Sequence, residues 1–369
     1  MLRTDNLHLR AAGILAAAVC LLFPVRSSAC TGISFVAKDG SHVMARSIEW
    51  AAERLNSRYV VVPRGHSFRS FTPEGVDGME YTSKYGFVGV AVMTDELMVD
   101  GLNEQGLNAG LFFFPEYGSY LPFDSSKKAE TLSDFQFVSW ALANFSTVDE
   151  VIEGVKDIRI TGLDKNIGTV HWRLGDRTGR QVVLEIVGGE MNFYENPVGV
   201  LTNSPGFQWH LTNLGNYVNL VPGSADNQSW NNGRFEVKPL SGGSGMLGLP
   251  GDPTSPSRFV RIAVYKATAP VPENGYDAAL QSFKILESLV IPIGIVKDVN
   301  VNAEKSTDMI SSTQFTAVSD LDNLRFYYRT MDNSRIRCID LKSIDFKKVK
   351  YQSRALDTTP EQVELLNIK

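Results

Sequence analysis

The chain has 369 residues, of which 43% are hydrophobic and 21% charged, the ordinary balance of a globular protein. A formal charge of −5, with no basic stripe and no binding motif, argues against a nucleic-acid partner. Three cysteines, Cys20, Cys30 and Cys338, are too few for a disulfide scaffold.

Residues 1–29 read as a signal peptide. Arg3 and Arg10 give a positive start, residues 11–25 are apolar, and Ser27 and Ala29 fit the small-residue cleavage rule. The apolar run is short for a membrane span, and no later stretch is long enough. A soluble, exported protein without a membrane anchor is therefore expected, periplasmic or secreted. Losing the leader removes Arg3, Arg10 and Arg26 against Asp5, which moves the formal charge from −5 to −7. The remaining residues, 30–369, suffice for one large domain. A lipoprotein site would want Leu three residues before the cysteine, where this chain has Ser27. Cleavage after Ala29 would make Cys30 the N-terminus, with a thiol and a free α-amine on one residue.

Strand signals then dominate at 30–37 and 42–50, joined by the turn Lys38-Asp39-Gly40, and at 59–63, 86–94 and 106–114. Ser133 can cap a helix running to about Phe145, and Ser146 or Thr147 a second one over 148–155. Strands return at 169–174, 181–186 and 190–194. Residues 222–256, rich in Gly, Ser, Asn and Pro, read as a long surface loop. Helices are expected at 257–267 and 276–290, and strands near 314–319, 324–330 and 335–340. Cys338 is expected to be a small buried hydrophobe. The tail after Tyr351 is polar and expected to be loose. Strands at both ends with helices between suggest α+β layers rather than alternating βαβ units.

The chemistry centres on Cys30. A free thiol, with a pKa of about 8.5, is mostly protonated at neutral pH. An α-amine, at about 7.7–8.0, is partly free to take the thiol proton and later return it to a leaving amine. A Cys–His pair would have to use His171, which lies within a strand, or His210, and both read as structural. A disulfide between Cys30 and Cys338 would consume the nucleophile. Arg46 and Glu49 lie on the strand that folds back beside Cys30. Strand alternation does not put residues three apart on one face, so a strand end or a bulge near Glu49 is required.

Cys30-Thr31-Gly32, followed sixteen residues after the cysteine by Arg46-Ser47-Ile48-Glu49-Trp50, resembles the choloylglycine hydrolase family, which holds bile salt hydrolases and penicillin V acylases. The resemblance continues at residues 100–107, at 196–205, at Ser257-Arg258-Phe259-Val260-Arg261, and at Ser311-Ser312-Thr313 with Val318-Ser319-Asp320. It spans nearly all of residues 30–345 in order.

The resemblance implies the four-layer αββα sandwich of the N-terminal nucleophile hydrolases as a single domain over 30–369. It implies Cys30 as nucleophile with its α-amine as base, and Arg46 beside the thiol. Glu49 stands where the family has Asp, at the amine. Asn203 matches the asparagine whose side-chain amide donates to the oxyanion, and Arg258 the second active-site arginine. Two departures stand out: Glu49 is one methylene longer than Asp, and a phenylalanine run replaces the family's Asn or Tyr after Gly110. Phe113 is the best placement for that position. Its backbone N–H can serve an oxyanion, and its side chain cannot. Phe112, Phe113, Phe114 and Trp50 read either as an apolar acyl pocket or as a strand buried on both faces.

The implied reaction is hydrolysis of a linear amide through a thioester, with no metal and no organic cofactor, and the implied partner is a small-molecule amide. Glycine- or taurine-conjugated bile acids lead as substrates. Penicillin V and N-acyl-homoserine lactones are the alternative, and an exported binding protein on the same scaffold is the reading outside catalysis. The family is often a homotetramer.

Overall fold

The computed structural model describes residues 29–50, 54–163, 168–292, 295, 312–357, 361 and 363–368. The leader before residue 29 and Ser311 lie outside these. Two antiparallel sheets carry the fold. Their strands, in chain order, are β1 (Ala29–Val36), β2 (His42–Trp50), β3 (Arg58–Val62), β4 (Phe87–Ala91), β5 (Met98–Asn103), β6 (Asn108–Phe113), β7 (Val170–Gly175), β8 (Gln181–Val187), β9 (Glu190–Glu195), β10 (Val200–Leu201), β11 (Ser312–Asp320), β12 (Arg325–Thr330), β13 (Asn333–Asp340) and β14 (Gln352–Ala355). The six-stranded sheet runs β10-β1-β2-β11-β12-β13, and the eight-stranded sheet runs β9-β8-β7-β6-β5-β4-β3-β14.

Helices α1 (Phe137–Asn144) and α2 (Val148–Gly154) follow β6, α3 (Phe207–Asn213) follows β10, and α4 (Ser255–Thr268) and α5 (Gly275–Glu287) precede β11. Helix α1 packs on β5 and β6, while α4 and α5 pack on the opposite side of the molecule against β1, β2 and β11. The layers are therefore helix, sheet, sheet, helix, the αββα sandwich. A sheet covered on both faces buries every residue of a strand, and β5, β6, β7 and β11 are buried along their whole length. Their buried positions include Asp100, Asn108, His171, Arg173 and Asp320.

Local signals account for the helix ends. Thr147, rather than Ser146, caps α2 by accepting from the Glu150 N–H, and Asn274 caps α5 by accepting from the Asp277 N–H. Pro256 at the start of α4 costs no intrahelical hydrogen bond there. The stretch expected as one helix from Ser133 divides into a 3-10 turn at Asp134–Gln136 and then α1.

Three expectations need correction. The 222–256 loop contains a hairpin, Gln228–Trp230 with Phe235–Val237, and helix α4 begins at its end. The tail is not loose throughout, because β14 pairs with β3 and satisfies that strand's open edge. Cys338 is exposed rather than buried, because β13 is the edge strand of its sheet. Both Cys30 and Cys338 are free thiols. Four strand spacings separate their strands, about 19 Å, which no disulfide bridges.

Candidate active site

Cys30 sits at the start of β1, in register with Ile48 of β2, while Gly32 pairs with Arg46 and Ala29 with Glu49. Paired residues share a face. Cys30, Gly32 and Arg46 therefore look inward to the eight-stranded sheet, while Glu49 looks outward to the helix layer. The site straddles the strand rather than occupying one face. The bulge expected near Glu49 to bring it onto the Arg46 face is absent from β2, which pairs with β1 without a shift; the irregularity lies in the neighbouring strand, where β11 slips register between Thr313 and Phe315, opposite Glu49 and Ile48. The Thr313 hydroxyl donates to Glu49 Oε1 at 3.3 Å.

On the inner face, Arg46 donates from Nη1 to the carbonyls of Val99 (2.7 Å) and Leu111 (2.5 Å) and from Nε to Ser47 O. Its guanidinium carbon lies 4.5 Å from the centre of the Phe112 ring. The Cys30 thiol is buried beside it. Burial pushes the thiol pKa up, the positive charge of Arg46 pulls it down, and the negative charge of Glu49 pushes it up again. The backbone N–H of Phe113 hydrogen-bonds the thiol and Arg258 adds a further positive charge, both favouring the thiolate.

Asn203 and Arg258 close the site at the backbone of Cys30. Asn203 Oδ1 accepts from Cys30 N at 2.7 Å and from Arg258 Nη2 at 2.8 Å. Its Nδ2 donates to Phe113 O at 2.8 Å, leaving one amide proton uncommitted. Arg258, on the first turn of α4, donates from Nη1 to Cys30 O (2.6 Å) and Thr31 Oγ1 (2.5 Å), and from Nε to Pro253 O (2.9 Å). The charge of Arg258 lowers the Glu49 pKa, but desolvation outweighs it and the carboxyl stays above its usual range.

Asn203 is itself held on both sides. Its N–H donates to Ser255 Oγ at 3.0 Å, and its carbonyl meets His210 Nε2 at 2.9 Å. His171 stands one residue earlier, between Thr202 O and Glu185 Oε1, both at 3.1 Å. Burial pushes His210 down to about 4, so it is neutral at ordinary pH and donates through Nε2. Both histidines support the strand that presents Asn203.

The aromatic residues divide by strand alternation. The Phe112 ring is fully buried between the sheets, and Phe114 stacks on His171 with centroids 4.4 Å apart. Phe113 offers both its N–H and its carbonyl to the site. Trp50 is half-buried at the end of β2. Two cavities lie elsewhere, one of 530 Å³ bordered by Leu121, Arg159 and Met191, the other of 450 Å³ bordered by Arg54, Gln314 and Met331. Among the described residues no group of three or more His, Cys, Asp or Glu side chains could hold a metal ion, and no helix is long and apolar enough to cross a membrane.

The sequence model for linear amide C–N hydrolases of the choloylglycine hydrolase family matches residues 30–358. The chain belongs to the choloylglycine hydrolase family. Among its relatives is a "Bile salt hydrolase/transferase" of Clostridium perfringens, 32% identical over 87% of this chain and 95% of the relative. A "Penicillin V acylase" of Pectobacterium atrosepticum is 27% identical over 87% of this chain and 82% of that one. A crystal structure of a conjugated bile acid hydrolase variant from Clostridium perfringens superposes with a TM-score of 0.78 at 29% identity, covering 92% of this chain and all of that one. Penicillin V acylase from Agrobacterium tumefaciens, at TM-score 0.71 and 24% identity over 89% and 92% of the two chains, shares the fold.

The structure of this choloylglycine hydrolase family member brings together Cys30, Arg46, Glu49, Asn203 and Arg258, from β1, β2, the segment after β10, and α4. Sequence reasoning read His210 as structural and gave no role to Ser255, Asp100 or Arg173. One signal for the last two was present: glycines inside strands, Gly32 and Gly110, mark a close approach by another group.

Proposed function

We propose that the protein is an exported enzyme that hydrolyses glycine- and taurine-conjugated bile salts through Cys30 as an N-terminal nucleophile. The observation that carries this reading is the contact of Cys30 N with Asn203 Oδ1 at 2.7 Å, with Arg258 bound to the same oxygen. Removal of residues 1–29, leaving 30–369 as one domain, turns that backbone nitrogen into an α-amine. Ala29 is in register with Glu49, so the amine would emerge between Asn203 Oδ1 and the Glu49 strand position. Loss of Ala29 also opens space at the nucleophile.

In this mechanism the amine takes the Cys30 proton as the thiolate attacks the amide carbonyl. The second Asn203 Nδ2 proton and the Phe113 N–H serve the tetrahedral oxyanion. The amine then protonates the departing glycine or taurine, and a thioester remains. Water, deprotonated by the same amine, releases the acid and the thiol. Arg46 stabilises the thiolate, and Arg258 fixes the Asn203 amide. The substrate choice draws on the bile salt hydrolases among the relatives, which reach 32% identity against 27% for the penicillin V acylase.

The test is amine release by the purified protein, its N-terminus sequenced, from matched glycocholate, taurocholate, penicillin V and an N-acyl-homoserine lactone. Preferential release of glycine or taurine is expected, with no turnover by Cys30→Ser. Preference for penicillin V or the lactone would replace the substrate. Binding without release from any of the four would point to a scaffold that only binds.

A further inference from the structure

Two arginines cross the space between the sheets in opposite directions. Arg46 leaves β2 and bonds the carbonyls of Val99 and Leu111 in the eight-stranded sheet. Arg173 leaves β7 of that sheet and donates to Ile33 O (3.1 Å) and Ala45 O (2.9 Å) of the six-stranded one. The Phe112 ring lies between them, 4.5 Å from one guanidinium carbon and 5.6 Å from the other. Glycine makes the crossing fit: a Cβ on Gly32 would lie 2.7 Å from Arg173 Nη1 and 2.8 Å from the Phe112 ring.

A carboxylate accompanies the pair. Asp100 is in register with Gly110, and Gly110 with Arg173. Across three strands the shared face therefore reads carboxylate, gap, guanidinium. A Cβ on Gly110 would lie 2.7 Å from Asp100 Oδ2, so the carboxylate leans over that gap. Asn108 Nδ2 donates to its other oxygen at 3.3 Å and also to Ser319 Oγ at 3.1 Å. Asp100, Arg46 and Arg173 are all buried.

These residues complete an enclosed set of charges. Arg46, Arg173 and Arg258 stand against Glu49 and Asp100. The guanidinium groups outnumber the carboxylates by one, before the α-amine of the processed chain is counted. Buried charge is stable only when balanced, so the set favours ionisation of the cysteine. We propose that Asp100 and Arg173 are positioning residues that hold Arg46 behind Cys30 and set the charge balance of the enclosed site. Neither touches the thiol. The proposal rests on Cys30 being the nucleophile.

The groups facing Asp100 are Arg46 from β2, Arg173 from β7, Asn108 from β6 and, through Asn108, Ser319 from β11. Burial raises the Asp100 pKa against the pull of the two arginines and leaves it at about 6, so it is charged above that pH. Across one sheet separation of about 10 Å, one buried charge moves a thiol midpoint by roughly one pH unit.

The test is the pH dependence of iodoacetamide labelling, read by mass spectrometry at Cys30, with Cys338 as the internal control. Asp100→Asn should lower the Cys30 midpoint by about one unit and converge with wild type below pH of about 6. Arg173→Met should raise it by a similar amount, and the double variant should return it near wild type. The Cys338 midpoint should stay put. Two single variants that leave the Cys30 midpoint unchanged, or move it in the same direction, would overturn the proposal. If only one single variant folds, the sign of its shift decides; if neither folds, the pair is structural and the proposal is lost. Turnover that survives Cys30→Ser would instead remove the nucleophile reading on which it rests.

Discussion

Gly32→Ala probes the packing between the sheets directly. The new methyl would meet Arg173 Nη1 at 2.7 Å, Phe112 Cζ at 2.8 Å and Arg173 Cζ at 3.0 Å. The guanidinium cannot swing to solvent, because Arg173 is fully buried and tied to Ile33 O and Ala45 O. The ring cannot retreat, because Arg46 lies against it. Overpacking costs about 1–3 kcal/mol, and weakening two hydrogen bonds from a charged donor adds about 1–3 kcal/mol. A total of about 2–6 kcal/mol is a large part of a typical stability of about 5–15 kcal/mol. With a urea slope of about 3 kcal/mol per M, the unfolding midpoint should fall by roughly 0.7–2 M. Gly215→Ala, where a Cβ meets nothing within 4 Å, is the control and should move it little. Equilibrium urea unfolding followed by tryptophan fluorescence measures both. A Gly32→Ala midpoint equal to that of Gly215→Ala would refute the close crossing of Arg173 over this strand.

Asn203→Ala removes the acceptor shared by Cys30 N and Arg258 Nη2, and kcat should fall about 10²–10³-fold if its amide serves the oxyanion; a fall under tenfold in steady-state kinetics would assign that work to Phe113 N–H alone. Asp134 is buried and pushed up to about 7, chiefly by desolvation. A folded pKa raised above the unfolded value of about 3.9 gives stability that is complete below about pH 4 and lost as pH rises to about 7. Asp134→Asn should therefore flatten the fall in melting temperature between pH 4 and 7, by roughly 4 kcal/mol at full effect, and a curve parallel to wild type would count against it. The exposed Cys338 should react with Ellman's reagent in the native protein without reductant, since no disulfide with Cys30 can form; absence of any reactive thiol under those conditions would contradict the placement of β13.

Much of the site was readable from local sequence because its parts are short-range. Cys30 and Arg46 lie on two strands joined by a tight turn, so their pairing follows from the turn and the hydrophobic pattern. Asn203 and Arg258 came only from the resemblance, since nothing local distinguishes a turn asparagine from one that binds a distant backbone nitrogen. Thr147 was legible as a cap, because capping is a local hydrogen bond. Cys338 was misjudged because alternation predicts which side a residue takes, while burial depends on whether another layer covers that side.

The chain by itself determined the order of strands and helices, the layered class, and the motif that places a cysteine, an arginine and a carboxylate on adjacent strands. Tertiary structure alone decided that Glu49 and Arg46 act from opposite faces of β2, that a slip in β11 sits beside Glu49, and that Arg173 and Asp100 stand behind the thiol. The physical reason is the same in each case. Backbone periodicity and turn chemistry are properties of neighbours in the chain, whereas charge balance and close approach belong to groups far apart in it, 228 residues in the case of Arg258 and Cys30.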